Sequence, residues 1–262
     1  MNGESSVQPG SNLVLPERSP ILDSMASGAT TPEMGEKVWR YMSFSRFLWL
    51  LQNKQLWLTR ADLLGDPWEI TLAGDQLAHV ISRHPPDPFP PRGAKRETPI
   101  QRSERIIRSW RRHTFVSCRS ASEHESHALW RIYCRSSEGV ALQTTLGKLR
   151  ESVGSLPVYR VTYQIPGSKR QTPTLPDLVA KKRPMFAYEQ EVRVVLSTNG
   201  KDEIEVLGHC LEWDPEKNVE FIQVHPEADN SFMQTVTAAV EHYAPALSGR
   251  VGWSAMKARP PF

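Results

Sequence analysis

From Lys37 to Tyr243 the chain switches between two hydrophobic periods, two residues and 3.6, which separate strands from helices. VWRYM (Val38–Met42) reads as a short strand. Ser43 follows as an N-cap, and Phe44, Phe47, Leu48 and Leu51 recur at helical spacing through SFSRFLWLLQNK. QLWLTR alternates again, with Leu56 and Leu58 on one side. ADLLGDPWEITLAGD reads as a loop carrying Asp66, Pro67, Trp68 and Glu69, and the proline-rich stretch His84–Pro99 as a surface loop. A helix is expected from about Ile100 to Arg112, then a strand over His113–Cys118. Ser122 and Glu125 have capping-box spacing, so a helix is expected from Ser122 to Cys134, with Ala128, Leu129, Ile132 and Tyr133 as its apolar stripe. GVALQTTL and VYRVTYQ read as strands separated by the helix LGKLRESV. FIQVHP reads as a late strand and NSFMQTVTAAVEHYAP as a final helix, while the stretch from about Ile204 to Glu220 fits either strand or loop.

One strand is unusual. FAYEQEVRVV (Phe186–Val195) has β-branched and aromatic residues throughout, yet carries Glu189, Glu191 and Arg193. Alternation puts these three charges on one face and Phe186, Tyr188, Val192 and Val194 on the other. Two glutamates two residues apart on a strand have Cα atoms about 6.5–7 Å apart. At that spacing one carboxylate can hold a substrate hydroxyl while the other orients or activates a nucleophile, and each raises the other's proton affinity. The plainer reading is a solvent-facing charged row on an antiparallel sheet. The run KKRPMFAY just before it supplies more cations than such a row needs.

Strands and helices intersperse without a βαβ rhythm, so the expected fold is α+β: a mixed, mostly antiparallel sheet flanked by helices. Residues 1–33, rich in Ser, Gly and Pro, read as a disordered tail, and 34–262 as one α+β domain. The chain has 262 residues, 39% of them hydrophobic, which is ample for a core. No apolar run reaches the length of a membrane span and no secretory leader is visible, so no membrane partner is expected. Three widely spaced cysteines, Cys118, Cys134 and Cys210, make neither a disulfide framework nor a zinc ribbon, which points to a reduced, cytoplasmic setting. A formal charge of +3 identifies no polyanionic partner, and nothing sets an oligomeric state.

Four other groups could carry chemistry. Arg40, beside Trp39 and Tyr41, could clamp a phosphate or carboxylate with its planar fork, or be a surface arginine among packed aromatics. Asp66 and Glu69 lie in the DPWE turn, where they could bind a substrate or a metal or simply start a turn. Ser117 sits on a middle strand. In VSCRSASEHESHALWRIY, His124 and His127 are three apart but lack a third ligand, so no metal is expected; Trp130 and Tyr133 would wall a cleft or a core. Arg102, Arg105, Arg108 and Arg112 fall along one helical stripe, which could follow a phosphate backbone or be a solvated face. No glycine-rich phosphate loop and no nucleophile elbow occurs.

The order of the motifs resembles a bacterial family known as domain of unknown function 2971. Its features here are WRY at Trp39–Tyr41, LWL at Leu56–Leu58, DPWE at Asp66–Glu69, FVSC at Phe115–Cys118, ALWRIY at Ala128–Tyr133, EGVAL at Glu138–Leu142 and YEQEVRVV at Tyr188–Val195. VHPEA at Val224–Ala228 and the closing WSAMKARPPF also fit. Leu64-Gly65 stands where the family commonly has Asn before Asp-Pro. The family brings no settled activity with it. More distantly, an Arg on the first strand, a Ser on a middle strand and a late Glu-x-Glu strand are similar to the layout of ADP-ribosyltransferases. That resemblance implies an ADP-ribosyltransferase-like fold and NAD as substrate, in a toxin or defence effector. It gives Arg40 the NAD phosphates, Ser117 the orientation of NAD and of the catalytic Glu, and Glu191 the nicotinamide ribose. Glu189 would stand nearer the acceptor, Arg193 would line the same face, and Tyr133 or Trp130 would stack on nicotinamide. No Ser-Thr-Ser triplet follows the middle strand here, only Ser117-Cys118-Arg119-Ser120. Two other classes stay open: a nucleic-acid-binding module or nuclease using the basic helix, and a non-enzymatic partner-binding protein whose Glu-Glu-Arg row is only sheet surface.

Overall fold

A computed structural model describes residues 34–72, 75–83, 97–165, 174–198 and 206–258. The N-terminal tail, the proline-rich stretch 84–96 and the last four residues lie outside them. The elements are β1 (Lys37–Ser43), α1 (Phe44–Asn53), β2 (Gln55–Arg60), α2 (Asp75–Arg83), α3 (Pro99–Arg112), β3 (Thr114–Ala121), α4 (His127–Cys134), β4 (Gly139–Thr145), α5 (Leu146–Ser152), β5 (Val158–Arg160), β6 (Thr162–Tyr163), α6 (Leu175–Val179), β7 (Lys181–Lys182), β8 (Glu191–Ser197), β9 (Gly208–Glu212), α7 (Pro215–Asn218), β10 (Phe221–Val224), α8 (Asn230–Tyr243) and β11 (Val251–Trp253). Nine of the described strands form one sheet, β11-β10-β4-β1-β3-β2-β9, with β8 along β3 and β5 along β8. Every pairing in it is antiparallel except β10 with β11. The expected α+β class is what the chain adopts. No described helix is long and apolar enough to cross a membrane.

Local chemistry explains where elements start. Thr98 accepts from the Gln101 N–H and Gln101 answers to the Thr98 N–H, so a capping box with Pro99 just inside starts α3. The helix expected from Ser122 begins instead at His127, capped by Ser126. Glu125, the expected reciprocal cap, is used elsewhere: it accepts from Trp130 Nε1 at 2.9 Å, Ser254 Oγ at 2.5 Å and the Ala255 N–H at 2.8 Å. The expected strand FAYEQEVRVV is also corrected. Pro184–Glu189 is a 3₁₀ turn, Gln190 has φ 43° and ψ 50°, and the strand opens only at Glu191. Pro184 favours the turn, and the left-handed Gln190 breaks the alternation that would have put Glu189 in line with Glu191. VYRVTYQ is likewise two short strands, one on β8 and one on β7.

Register decides which residues share a face. Cys118 lies opposite Arg193 and Ser120 opposite Glu191, whereas Ser117 lies opposite Val194 and Arg119 opposite Val192. β1 adds Val38 opposite Ala121 and Trp39 opposite Ser120. Opposite residues point the same way. Val38, Arg40, Met42, Ser117, Arg119, Val192 and Val194 therefore face one side, and Trp39, Tyr41, Cys118, Ser120, Glu191 and Arg193 the other. The first side holds the main core, in which Phe47, Leu50 and Leu51 of α1, Leu146 and Leu149 of α5, and Val236 and Val240 of α8 are buried. Each such side chain contributes about 1.5–3 kcal/mol by leaving water. The second side holds two smaller apolar clusters, one around Ile70, Ile106, Val116 and Val195, the other around Trp39, Tyr41, Leu129 and Trp130. Cys118, Ser120, Glu191 and Arg193 share the face that these two clusters cover.

Candidate active site

Arg193 is the hub of that second face. It is 1% exposed and donates all five of its N–H groups. Nε and Nη2 reach the two oxygens of Glu191, both at 2.9 Å; Nη1 and Nη2 reach those of Glu69 at 2.7 and 2.8 Å; Nη1 also reaches the Val179 carbonyl at 2.9 Å. Strand alternation alone brings Glu191 to Arg193. Glu69 arrives from the DPWE turn, where Asp66 Oδ1 accepts from the Trp68 N–H and Ile70 takes φ 48°. Arg111 of α3 fastens this turn by donating to the carbonyls of Glu69 and Pro67 and to Thr71 Oγ1. Arg183 pairs with Asp66 at 2.8 Å.

Lys182 of β7 sits among three carboxylates, with Nζ 2.6 Å from Glu189, 3.3 Å from Glu191 and 3.6 Å from Glu69. The Glu191 N–H donates to Tyr163 Oη at 2.7 Å, and Tyr133 Oη lies 3.5 Å from Glu189 Oε1. Burial pushes Glu191 up, but Arg193 and then Lys182 outweigh it and hold this carboxyl at about 2. Glu189 goes the other way: burial raises it, and Glu191 adds to the rise against the pull of Lys182. Burial also pushes Tyr163 up to about 12 and, with Glu191 beside it, lifts the Cys118 thiol well above its ordinary value. Three carboxylates thus face two cations, Lys182 and Arg193. Of the two glutamates on Lys182 that shift, Glu191 is lowered and Glu189 raised. This residue is 6% exposed, but Tyr133 and Tyr188 beside it are each 45% exposed.

The structure gathers Glu189, Glu191, Arg193, Glu69 and Tyr133, with Asp66 behind them. The charged row is buried and is not a sheet surface. Arg40 and Ser117 do not join it: they face the opposite side of the sheet. Tyr41 and Trp130 are core residues in edge-to-face contact at 5.1 Å; Tyr41 Oη accepts from the Ser126 N–H, and Trp130 is 1% exposed. The basic stripe is uneven. Arg102 is 5% exposed and 3.6 Å from Glu97, and Arg105 makes a two-point pair with Glu97. Arg108 is exposed and Arg112 half-buried. Sequence reasoning left out Lys182, Tyr163 and Arg111; the cation-rich KKRP run was the visible signal for the first.

No family model matches the chain. No curated protein matches it either. Among solved structures it is similar to DarT of Thermus sp. 2.9 in complex with ADP-ribosylated ssDNA, at 14% identity, over 87% of this chain and 97% of that one, with a TM-score of 0.41. So loose a superposition decides nothing about the site, and the motif order quoted above stays a resemblance.

Proposed function

We propose that the chain is a group-transfer enzyme that breaks the nicotinamide–ribose bond of NAD and passes ADP-ribose to an acceptor, with Glu189 as the catalytic carboxylate. The observation that carries this reading is a buried carboxylate of raised proton affinity, Glu189, held by Lys182 at 2.6 Å beside two half-exposed tyrosines. As the C1′–N bond breaks, its electron pair goes to the pyridine nitrogen and the ribose becomes cationic. A fixed carboxylate at that carbon stabilises the cation. The acceptor atom then bonds to C1′, and its proton passes to Glu189, whose raised proton affinity suits it to receive one. Glu191 does not fill this role. Doubly held by Arg193 and kept ionised, it is a positioning residue that fixes Lys182, which in turn fixes Glu189. Tyr133 and Tyr188 offer rings on which nicotinamide can stack.

The test is nicotinamide release from NAD by the purified chain, alone, with cell extract and with single-stranded oligonucleotides. Glu189→Gln is expected to lower turnover by about 10²–10⁴-fold with an unchanged melting profile. Folded protein that releases no nicotinamide with any acceptor, or a Glu189→Gln variant as active as the parent, overturns the reading.

A further inference from the structure

His225 follows β10 directly and is 3% exposed. Its main chain is fixed at both groups: the N–H donates to the Gly139 carbonyl at 3.1 Å, and the carbonyl accepts from the Ala228 N–H at 3.0 Å. Its ring packs edge-on against Trp130 of α4, with the centroids 5.0 Å apart. Nδ1 accepts from the Glu227 N–H at 3.1 Å. An imidazole nitrogen that accepts carries no proton, so the ring is neutral and its one proton sits on Nε2. The contact is that of an Asx turn, in which a side chain accepts from the backbone two residues on, made here by an imidazole.

The same turn holds a second segment. Lys257 Nζ donates to the carbonyls of Ala228 at 2.6 Å and Pro226 at 3.4 Å, and lies 3.7 Å from the centroid of the Trp253 ring. Lys257 closes the 3₁₀ turn Ala255–Lys257, which Ser254 caps. The Ser254 N–H donates to the Val224 carbonyl at 3.0 Å, and Glu125 takes the Ser254 hydroxyl and the Ala255 N–H. The charges around His225 are uneven. Lys257 comes from this segment, His127 and Arg131 from α4, and Glu227 from the histidine's own turn. The Glu227 carboxylate is paired with Arg131 at 2.7 Å, and Glu125 is taken up by Trp130, Ser254 and Ala255. Burial first, then three basic neighbours against Glu227, hold the imidazole below its ordinary value.

We propose that His225 is a proton-sensitive latch on the segment Ser254–Lys257. A proton on Nδ1 turns the acceptor of the Glu227 N–H into a second donor, and two donors face each other. The turn must open to separate them, and the two carbonyls that hold Lys257 move with it. The new imidazolium also repels Lys257 itself. The sign follows from the closed form binding the proton less readily than the released one. Closure is fully present above the released value near 6.5 and is lost as pH falls from there toward the lower closed value. Acid thus frees the ring face of Trp253 that Lys257 covers and the Glu125 carboxylate that Ser254 and Ala255 occupy. The latch does not depend on the NAD reading.

The experiment is hydrogen exchange of the full chain between pH 7.5 and pH 5, read as protection factors so that the intrinsic pH dependence of exchange is removed, beside His225→Asn. Asparagine can accept from the Glu227 N–H in the same turn but takes up no proton. In the parent, protection of the amides Ser254–Ala258 is expected to fall by up to about tenfold per pH unit below about 6.5, while that of Val236–Val240 in α8 holds. In His225→Asn the same amides are expected to keep their protection throughout. Flat protection in the parent, or a fall of the same depth in His225→Asn, overturns the latch. Should the variant fail to fold, nitrogen NMR of the parent decides: His225 must show an unprotonated Nδ1 at pH 7.5, and a protonated Nδ1 there overturns the latch equally.

Discussion

Arg193 and Arg119 stand on neighbouring strands of one sheet and are almost equally hidden, at 1% and 5% exposed, yet their surroundings are opposite. Arg193 spends all five N–H groups, four of them on two carboxylates. Arg119 meets a hydroxyl, a carbonyl and a second arginine. Burying a charge costs several kcal/mol in either place, and among the described residues only the first place offsets that with carboxylates. The paired arginine is explained by the fold: it ties β8 to the Asp66–Glu69 turn and to α6. The second has no carboxylate partner among the described residues, only a hydroxyl and a carbonyl. The same rule separates the glutamates. Glu191 is held by Arg193 at two points and by Lys182, while Glu189 has Lys182 alone as its cation among the described residues.

The comparison breaks most sharply on two substitutions of the same kind. Arg193→Met strands Glu69 and Glu191 beneath the surface, with Lys182 as the cation left beside them among the described residues, and is expected to cost about 3–5 kcal/mol. Arg119→Met removes a charge that has no carboxylate among the described residues, so its urea midpoint is expected to equal or exceed that of the parent. Equal losses in the two variants would show that both arginines are ordinary structural residues, and the contrast would vanish.

Acid sharpens it next. Glu191 has its folded pKa depressed to about 2, so it contributes stability that is fully present above its unfolded value near 4.5 and is lost as pH falls through about 2. The whole effect is on the order of 3 kcal/mol. Glu189, raised in the folded state, works in the opposite sense: its ionisation weakens the fold, and protonating it relieves that cost. Urea midpoints measured from pH 6 to pH 2 should therefore fall chiefly below pH 4.5. The fall should flatten in Glu191→Gln and persist in Glu189→Gln. A fall of the same depth in Glu191→Gln would assign the acid sensitivity to other carboxylates.

Much of this was legible in the residues, and the failures have definite causes. Alternation puts Glu191 and Arg193 on one face, and the turn residues single out Asp66 and Glu69. The Arg193–Glu69 pair spans 124 positions, and no local period reveals such a contact. The ladder that positions Glu189 was misread because one left-handed residue, Gln190, interrupts it, and nothing in the side chain of glutamine announces that. Ser122 had the better capping spelling but lost to Ser126, since Glu125 was claimed by Trp130 and Ser254. The grouping of Arg40 and Ser117 with Glu191 failed on parity. A strand assignment does not fix which face its neighbour's register will share, and a slip of one residue reverses every side chain.

The smallest effect belongs to charges that are neither buried nor alone. Arg105 is exposed and paired with Glu97 on the outer side of α3, where water screens both partners. Arg108, one turn on, is exposed as well. If burial rather than charge count governs the contrast between Arg193 and Arg119, Arg105→Ala should leave the urea midpoint unchanged within replicate scatter. Arg105→Glu with Arg108→Glu should leave nicotinamide release untouched on a small acceptor. The doubly reversed variant also probes nucleic-acid binding, because a stripe that follows a phosphate backbone loses affinity steeply with salt and with every reversed charge. With Arg102 buried and Arg105 tied to Glu97, too few free cations remain on the described helix for such a stripe, and the expected result is no salt-dependent binding for the variant to lose. A steep salt slope in the parent chain, gone after the two reversals, would instead make α3 the functional face and reduce the Arg193 cluster to a staple of the fold.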